Sequence, residues 1–109
     1  GQLLAAEPAA VPVVLQVPIF PLVAPPEALP SMAAFSEGYV LTAETMAFFS
    51  AAYGADRDDP RGFPILGDDT DAPPTILVTA SLDPIRDSGR AYGHALIDAG
   101  RDVLFLEAR

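Results

Sequence analysis

Asp83 is the residue of this chain best placed to do chemistry. The run Thr75 to Ala80 (TILVTA) is short and rich in β-formers, which predicts a buried strand. Ser81 and Leu82 follow, and then the pair Asp83-Pro84. A carboxylate at the carboxyl end of such a strand, just ahead of a helix, lies where open α/β sheets gather their chemistry. An Asp-Pro pair at a strand end also serves as an ordinary turn or helix start, and the local pattern leaves both readings open.

The other reactive side chains are less well set. His94 is the only histidine, and on the helix expected after Pro84 it shares a face with Arg90 and Asp98, opposite Tyr92 and Leu96. It is expected to be exposed, and a base on that face cannot also reach Asp83. Ser31, Ser36, Ser50, Ser81 and Ser88 all lack the strained strand-to-helix elbow that exposes a nucleophile. Ser81 is near Asp83 in sequence, a placing more typical of turn capping than of catalysis. The acidic pairs Asp58-Asp59 and Asp68-Asp69, with Asp71, lack the spacing of a dedicated calcium loop and read as solvated, so no metal site is expected. No G-x-G-x-x-G or G-K-[ST] run occurs, which removes the P-loop and the dinucleotide fingerprint.

The elements that must position Asp83 follow from period and punctuation. Gly1 to Glu7 (GQLLAAE) reads as the end of a helix stopped by Pro8. Val13 to Phe20 (VVLQVPIF) is almost continuously apolar, which suits a strand covered on both faces, with Pro18 opposing ladder pairing on one side. Pro21 to Pro30 reads as loop. Thr42 is placed to cap a helix of about three turns, with Glu44 in its first turn, an apolar stripe of Met46, Phe49 and Tyr53, and Gly54 at its end. Ala55 to Asp71 is acidic, broken by prolines and glycines, and reads as a solvated loop. After Asp83, Pro84 fits a first helical turn and Asp87 its positive end. Ile85, Gly89, Tyr92, Leu96 and Ala99 recur at helical spacing, and Gly100 is placed as the cap. Asp102 to Leu106 (DVLFL) predicts a last strand. Two strands joined by a helical crossover should be parallel and right-handed, so an α/β sheet with packed helices is expected.

Composition sets the outer bounds. A chain of 109 residues with 50% hydrophobic content can bury one core and no more than one domain. Fifteen acidic residues against six basic ones give a formal charge of -9, a surface that repels phosphate backbones and anionic lipid. No nucleic-acid or membrane partner is expected. The absence of cysteine removes disulfides and thiolate metal sites and is compatible with the cytoplasm, the expected location. Residues 3 to 24 are apolar, but Pro8, Pro12, Pro18 and Pro21 interrupt them and no basic flank precedes them, which argues against a signal or membrane segment.

Four blocks carry a resemblance, in order: Phe20-Pro21, then Glu37-Gly38-Tyr39-Val40-Leu41-Thr42, then Asp59 to Leu66 (DPRGFPIL), then Thr79 to Asp87 (TASLDPIRD). Together they resemble the hormone-sensitive-lipase-like carboxylesterases, a branch of the α/β-hydrolases, over roughly Gln16 to Glu107. The resemblance implies that residues 1–109 are the carboxyl-terminal portion of an α/β-hydrolase domain, mainly parallel sheet with flanking helices. It assigns Asp83 as the acid of a Ser, Asp, His triad and leaves Asp87 to shape the turn and cap the helix. It implies no cofactor. Met32, Phe35, Tyr39, Leu41, Phe48 and Phe49 are expected as core on general grounds. The resemblance places part of this insert in a cap over the acyl pocket, where Phe35 or Tyr39 would bind a short or medium acyl ester.

The departures bear on activity. The family's oxyanion-hole run of His and glycines and its G-x-S-x-G elbow are absent from the sequence. Gly1-Gln2-Leu3-Leu4 resembles what directly follows that elbow, and Phe105-Leu106-Glu107 resembles the strand that precedes the catalytic His-Gly-Phe. Glu7 to Val14 is shorter than its counterparts, and Ser88 stands where Glu is usual. The expectation is a serine esterase segment that supplies the triad acid, is inactive alone, and pairs with a missing amino-terminal part or with a second copy of itself. The alternative is a non-catalytic interaction or dimerisation module.

Overall fold

The computed structural model describes residues 10–25 and 29–109. The expected helix end at Gly1 to Glu7 and its stop at Pro8 lie outside the described residues. In chain order the elements are α1 (Pro30–Phe35), α2 (Ala43–Tyr53), a 3-10 turn (Pro64–Leu66), β1 (Thr75–Ala80), α3 (Arg86–Asp98) and β2 (Val103–Ala108).

β1 and β2 pair in parallel in the register Thr75↔Val103 through Ala80↔Ala108, with α3 as the crossover. Both strands stand where sequence pattern puts them, β2 running two residues beyond Leu106. Residues 16–20 line the other edge of β1: Gln16 and Phe20 donate to Pro74 O and Val78 O, and Ile76 and Val78 donate to Gln16 O and Pro18 O. Pro18 occupies the one intervening position whose N–H would face Ile76 O. Pairing therefore occurs on the very side that the proline weakens, and survives as two separate parallel bridges, Gln16↔Thr75 and Ile19↔Val78. The expectation of a strand covered on both faces is not met: Val14 is 82% and Ile19 61% exposed among the described residues.

One face of β1 carries the core. Leu77 packs with Val23, Tyr92 and Leu96, and Ile65, Ala72 and Val103 surround them. α3 presents Ser88, Gly89, Tyr92, Gly93 and Leu96 to this face, following the predicted period. It begins at Arg86, and Gly100 follows it with φ 76, a left-handed position where glycine has no Cβ to clash.

α2 has the expected ends. Thr45 N–H donates to Thr42 Oγ1 at 3.2 Å, and Gly54 closes the helix at φ 64. Its apolar stripe is not buried as a stripe: Met46 is buried, but Phe49 and Tyr53 are 58% and 66% exposed, with no helix or strand packed closely over them among the described residues. The 3-10 turn lies within the expected loop of Ala55 to Asp71, and α1 starts on the last residue of the expected Pro21 to Pro30 loop; Pro30 and Pro64 each stand at a first helical position where a missing N–H costs nothing.

Gly93 tests the closeness of this packing. A Cβ there would collide with the Phe105 ring and lie 2.9 Å from Leu77 Cδ2, which is fully buried. Gly93→Ala gains about 1 kcal/mol of helix propensity but incurs overpacking of about 1–3 kcal/mol. Because two neighbours must move, we expect a net loss of stability of about 1 kcal/mol, read as a lower urea midpoint at unchanged slope. A raised midpoint would show that α3 does not approach the sheet this closely.

Candidate active site

The turn that follows β1 is anchored at each step. Ser81 N–H donates to Ala108 O at 2.8 Å and closes the parallel ladder. Leu82 points outward, and Pro84 is fully buried beneath the turn. Between them Asp83 is half-buried. Its Oδ1 accepts from Ile85 N–H at 3.0 Å, and its carbonyl accepts from Arg86 N–H at 3.0 Å, which starts α3. Oδ2 makes no hydrogen bond among the described residues. The carboxylate thus has one oxygen fixed by backbone and the other open to accept a donor.

Asp87 joins this turn to α1. Its Oδ2 accepts from Ser31 N–H at 2.9 Å, and its own N–H donates to Ser31 Oγ at 3.1 Å. Ser31 Oγ in turn donates to Pro84 O at 2.7 Å, and Ser31 is completely buried. Asp87 Oδ1 accepts from Arg86 Nε at 2.9 Å, with Arg90 Nη1 at 3.6 Å. Arg86 also donates from Nη1 to Ser81 O at 3.0 Å and lies over the Phe35 ring, 5.1 Å from its centroid. Asp87 stands in the first turn of α3 as expected, but among the described residues its carboxylate caps no amide of that helix: it accepts from Ser31 N–H of α1 and reaches the turn through Arg86.

Burial opposes ionisation of Asp87, but the hydrogen bonds from Arg86 and Ser31 and the charges of Arg86 and Arg90 outweigh it and hold its carboxyl below the usual range. On the outer edge Glu107 is also lowered, by Arg90, whose Nη2 donates to Oε1 at 2.6 Å, against a smaller effect of desolvation.

Phe35 and Tyr39 meet edge-to-face at 5.6 Å and are only partly covered, so neither is core. Through Arg86 they lie beside the turn that carries Asp83. They do not line the open cavity of about 300 Å³ bounded by Gln16, Pro18, Pro21, Val23, Pro64 and Tyr92. His94 is exposed, as its helix face predicts, with its ring 6.0 Å from that of Phe105. Ser88 is buried, and its Oγ accepts from Val23 N–H at 2.8 Å and Ala24 N–H at 3.3 Å, fastening that segment onto α3. Among the described residues no group of three or more His, Asp or Glu side chains could hold a metal.

The sign of the Asp87 shift gives a stability test. A carboxyl lowered by folding contributes stability above its unfolded pKa and loses it as pH falls through the folded value. The protein is therefore expected to lose stability below about pH 4. Asp87→Asn should be less stable at neutral pH and show a shallower loss in that acid window, measured by urea denaturation at a series of pH values. An unchanged acid slope would show that the ion pair is not formed.

The sequence matches the model of a family described by its alpha/beta hydrolase fold over residues 2–109. It is 38% identical over 90 residues to ethyl acetate hydrolase of Pseudomonas putida, covering 79% of this chain and 28% of that protein. It is 34% identical over 94 residues to an arylesterase of Saccharolobus solfataricus, covering 82% of this chain and 31% of that protein. The fold superposes on a hyperthermophilic esterase from the archaeon Pyrobaculum calidifontis with a TM-score of 0.80 at 33% identity, over 87% of this chain and 33% of that one. The chain thus spans about a third or less of the length of each. On the family match over residues 2–109 and the likeness to these esterases, the chain belongs to the α/β-hydrolase fold family, in its hormone-sensitive-lipase-like carboxylesterase branch.

Proposed function

We propose that this chain is the carboxyl-terminal part of a serine carboxylesterase of short or medium acyl esters and that Asp83 is its triad acid. The observation that carries the proposal is the Asp83 carboxylate at the end of β1, with Oδ1 held by Ile85 N–H and Oδ2 open. An Asp so held accepts the Nδ1–H of a histidine, fixes its tautomer and stabilises the imidazolium that forms when the serine gives up its proton. The acyl group passes to the serine and then to water, which requires no cofactor. The serine and histidine come from the rest of the hydrolase, since no G-x-S-x-G elbow occurs here and His94 is exposed on α3, its ring tilted against that of Phe105. Phe35 and Tyr39 supply an apolar wall near Asp83 that suits a small acyl group. The names of two relatives, ethyl acetate hydrolase and arylesterase, support ester chemistry. A cytoplasmic location belongs to the same proposal, on the absence of cysteine. Among the described residues no helix is long and apolar enough to cross a membrane.

In the complete enzyme, Asp83→Asn is expected to lower kcat by about 10⁴-fold with the fold intact, because the amide favours the wrong histidine tautomer. His94→Ala should change turnover less than about twofold, as suits an exposed residue outside the machinery. Steady-state kinetics on an activated ester check both, and near wild-type turnover in the Asp83 variant would sink the assignment.

A second reading, an interaction module, is favoured by the exposed edges. Leu15, Val17 and Ile19 have no backbone partner on their outer side among the described residues and expose apolar side chains, and β2 offers Leu104 and Leu106. Both readings give the isolated 109-residue chain the same behaviour: a dimer or larger species, or capture of the missing hydrolase part. Repulsion from the charge of -9 is screened beyond about 8 Å at physiological salt, whereas edge pairing acts at contact. Light scattering and an ester assay on the purified chain are expected to show association without turnover. A sharp monomer with a cooperative transition, or stoichiometric serine labelling with matching turnover, would contradict this.

A further inference from the structure

Ser31 has none of the features of a nucleophile. It is completely buried, its hydroxyl donates to Pro84 O, and its backbone N–H is taken by Asp87. Those bonds, however, end on the two sides of the turn that carries Asp83. On the far side Ser31 Oγ fixes Pro84 O at 2.7 Å; on the near side Arg86 Nη1 fixes Ser81 O at 3.0 Å. Asp87 links the two donors, accepting from Ser31 N–H through Oδ2 and from Arg86 Nε through Oδ1. The Ser81–Leu82 and Pro84–Ile85 peptide groups, one residue to either side of those of Asp83, are thus clamped by one closed network whose members come from α1 and from the first turn of α3.

We propose that Ser31, acting through Asp87 and Arg86, is a positioning residue that sets the direction of the Asp83 carboxylate. The proposal rests on the reading of Asp83 as the triad acid and deepens it.

The physical reason is angular. A carboxylate-to-imidazole hydrogen bond weakens steeply as its geometry bends, and the single bond from Ile85 N–H leaves the Asp83 side chain free to follow any movement of its own peptide groups. Pro84 is fully buried, so its carbonyl has no water to replace Ser31 Oγ. Removing that hydroxyl leaves a buried acceptor without a partner, and the turn relaxes to find one. α1 also carries Phe35, on which Arg86 lies. The aromatic segment beside the site and the acid are therefore held by the same bonds.

The test uses the complete hydrolase that carries this segment, with Ser31→Ala and Arg86→Lys. The first is uncharged and removes only the hydroxyl; the second keeps the charge but loses the planar fork that reaches Ser81 O and Asp87 together. Active sites are counted with a phosphonate, and kcat, KM and the pH profile of kcat/KM are measured on an activated acetate ester. Expected are a fall in kcat per titrated site of at least about tenfold, a KM within about twofold of wild type, and an acid limb moved to lower pH, because the imidazolium has lost part of its carboxylate support. If both variants merely yield fewer titratable sites, each turning over at the wild-type rate with the wild-type acid limb, Ser31 is structural and the proposal is overturned. If Ser31→Ala does not fold, Arg86→Lys decides by the same readings. Asp83→Asn measured alongside separates the two levels. Wild-type turnover in that variant would remove the triad reading itself, whereas its loss together with unchanged Ser31 and Arg86 variants would remove only the positioning role.

Discussion

The backbone of Thr75–Ala80 is hydrogen bonded along both edges, and the described structure is arranged around that requirement. An interior strand has amides directed alternately to either side, and each needs a carbonyl. Ile76 and Val78 find theirs in residues 16–20, while Thr75 and Ser81 find theirs at Asp102 and Ala108. With β2 parallel, the chain between the strands must cross over, and α3 does so against the Leu77 face. Gly89 and Gly93 allow the helix to settle there. The last ladder bond, from Ser81, lies two residues before Asp83, so the acid is delivered at a height fixed by the sheet.

Much of this was legible in the sequence because it depends on local rules. The TILVTA strand, the Thr42 and Gly54 caps, the α3 period and the exposed face of His94 follow from propensity and spacing, and the structure has them. The misreadings have physical causes. Pro30 and Pro64 fall in stretches whose composition reads as loop, yet each opens a helical turn, because a first helical position has no use for the N–H they lack. The apolar run at Val13 to Phe20 predicts cover on both faces, yet apolar character reports what a segment can bury and not what lies against it among the described residues.

The site divides along the same line. Asp83 could be singled out because strand, Asp and Pro are adjacent in sequence. Ser31 could not, since its partners Pro84 and Asp87 lie 53 and 56 residues away and nothing in its own neighbourhood marks it. The signal that points to it is the carboxylate of Asp87, which cannot be half-buried beside a helix start without donors, and Arg86 alone does not satisfy both of its oxygens.

The two edges of β1 are closed over very different lengths of chain. Gln16 and Thr75 are 59 residues apart, whereas Thr79 and its partner Glu107 are separated by 28. By chain-closure entropy the longer loop costs only about 0.7 kcal/mol more than the shorter one, and doubling it again would add about 0.6 kcal/mol. The stretch that holds α1 and α2 is therefore thermodynamically cheap to lengthen, shorten or rebuild. Its size and composition can change while the strand, the crossover and the turn that holds Asp83 stay where they are, provided that the buried Ser31, which ties this stretch to that turn, is kept.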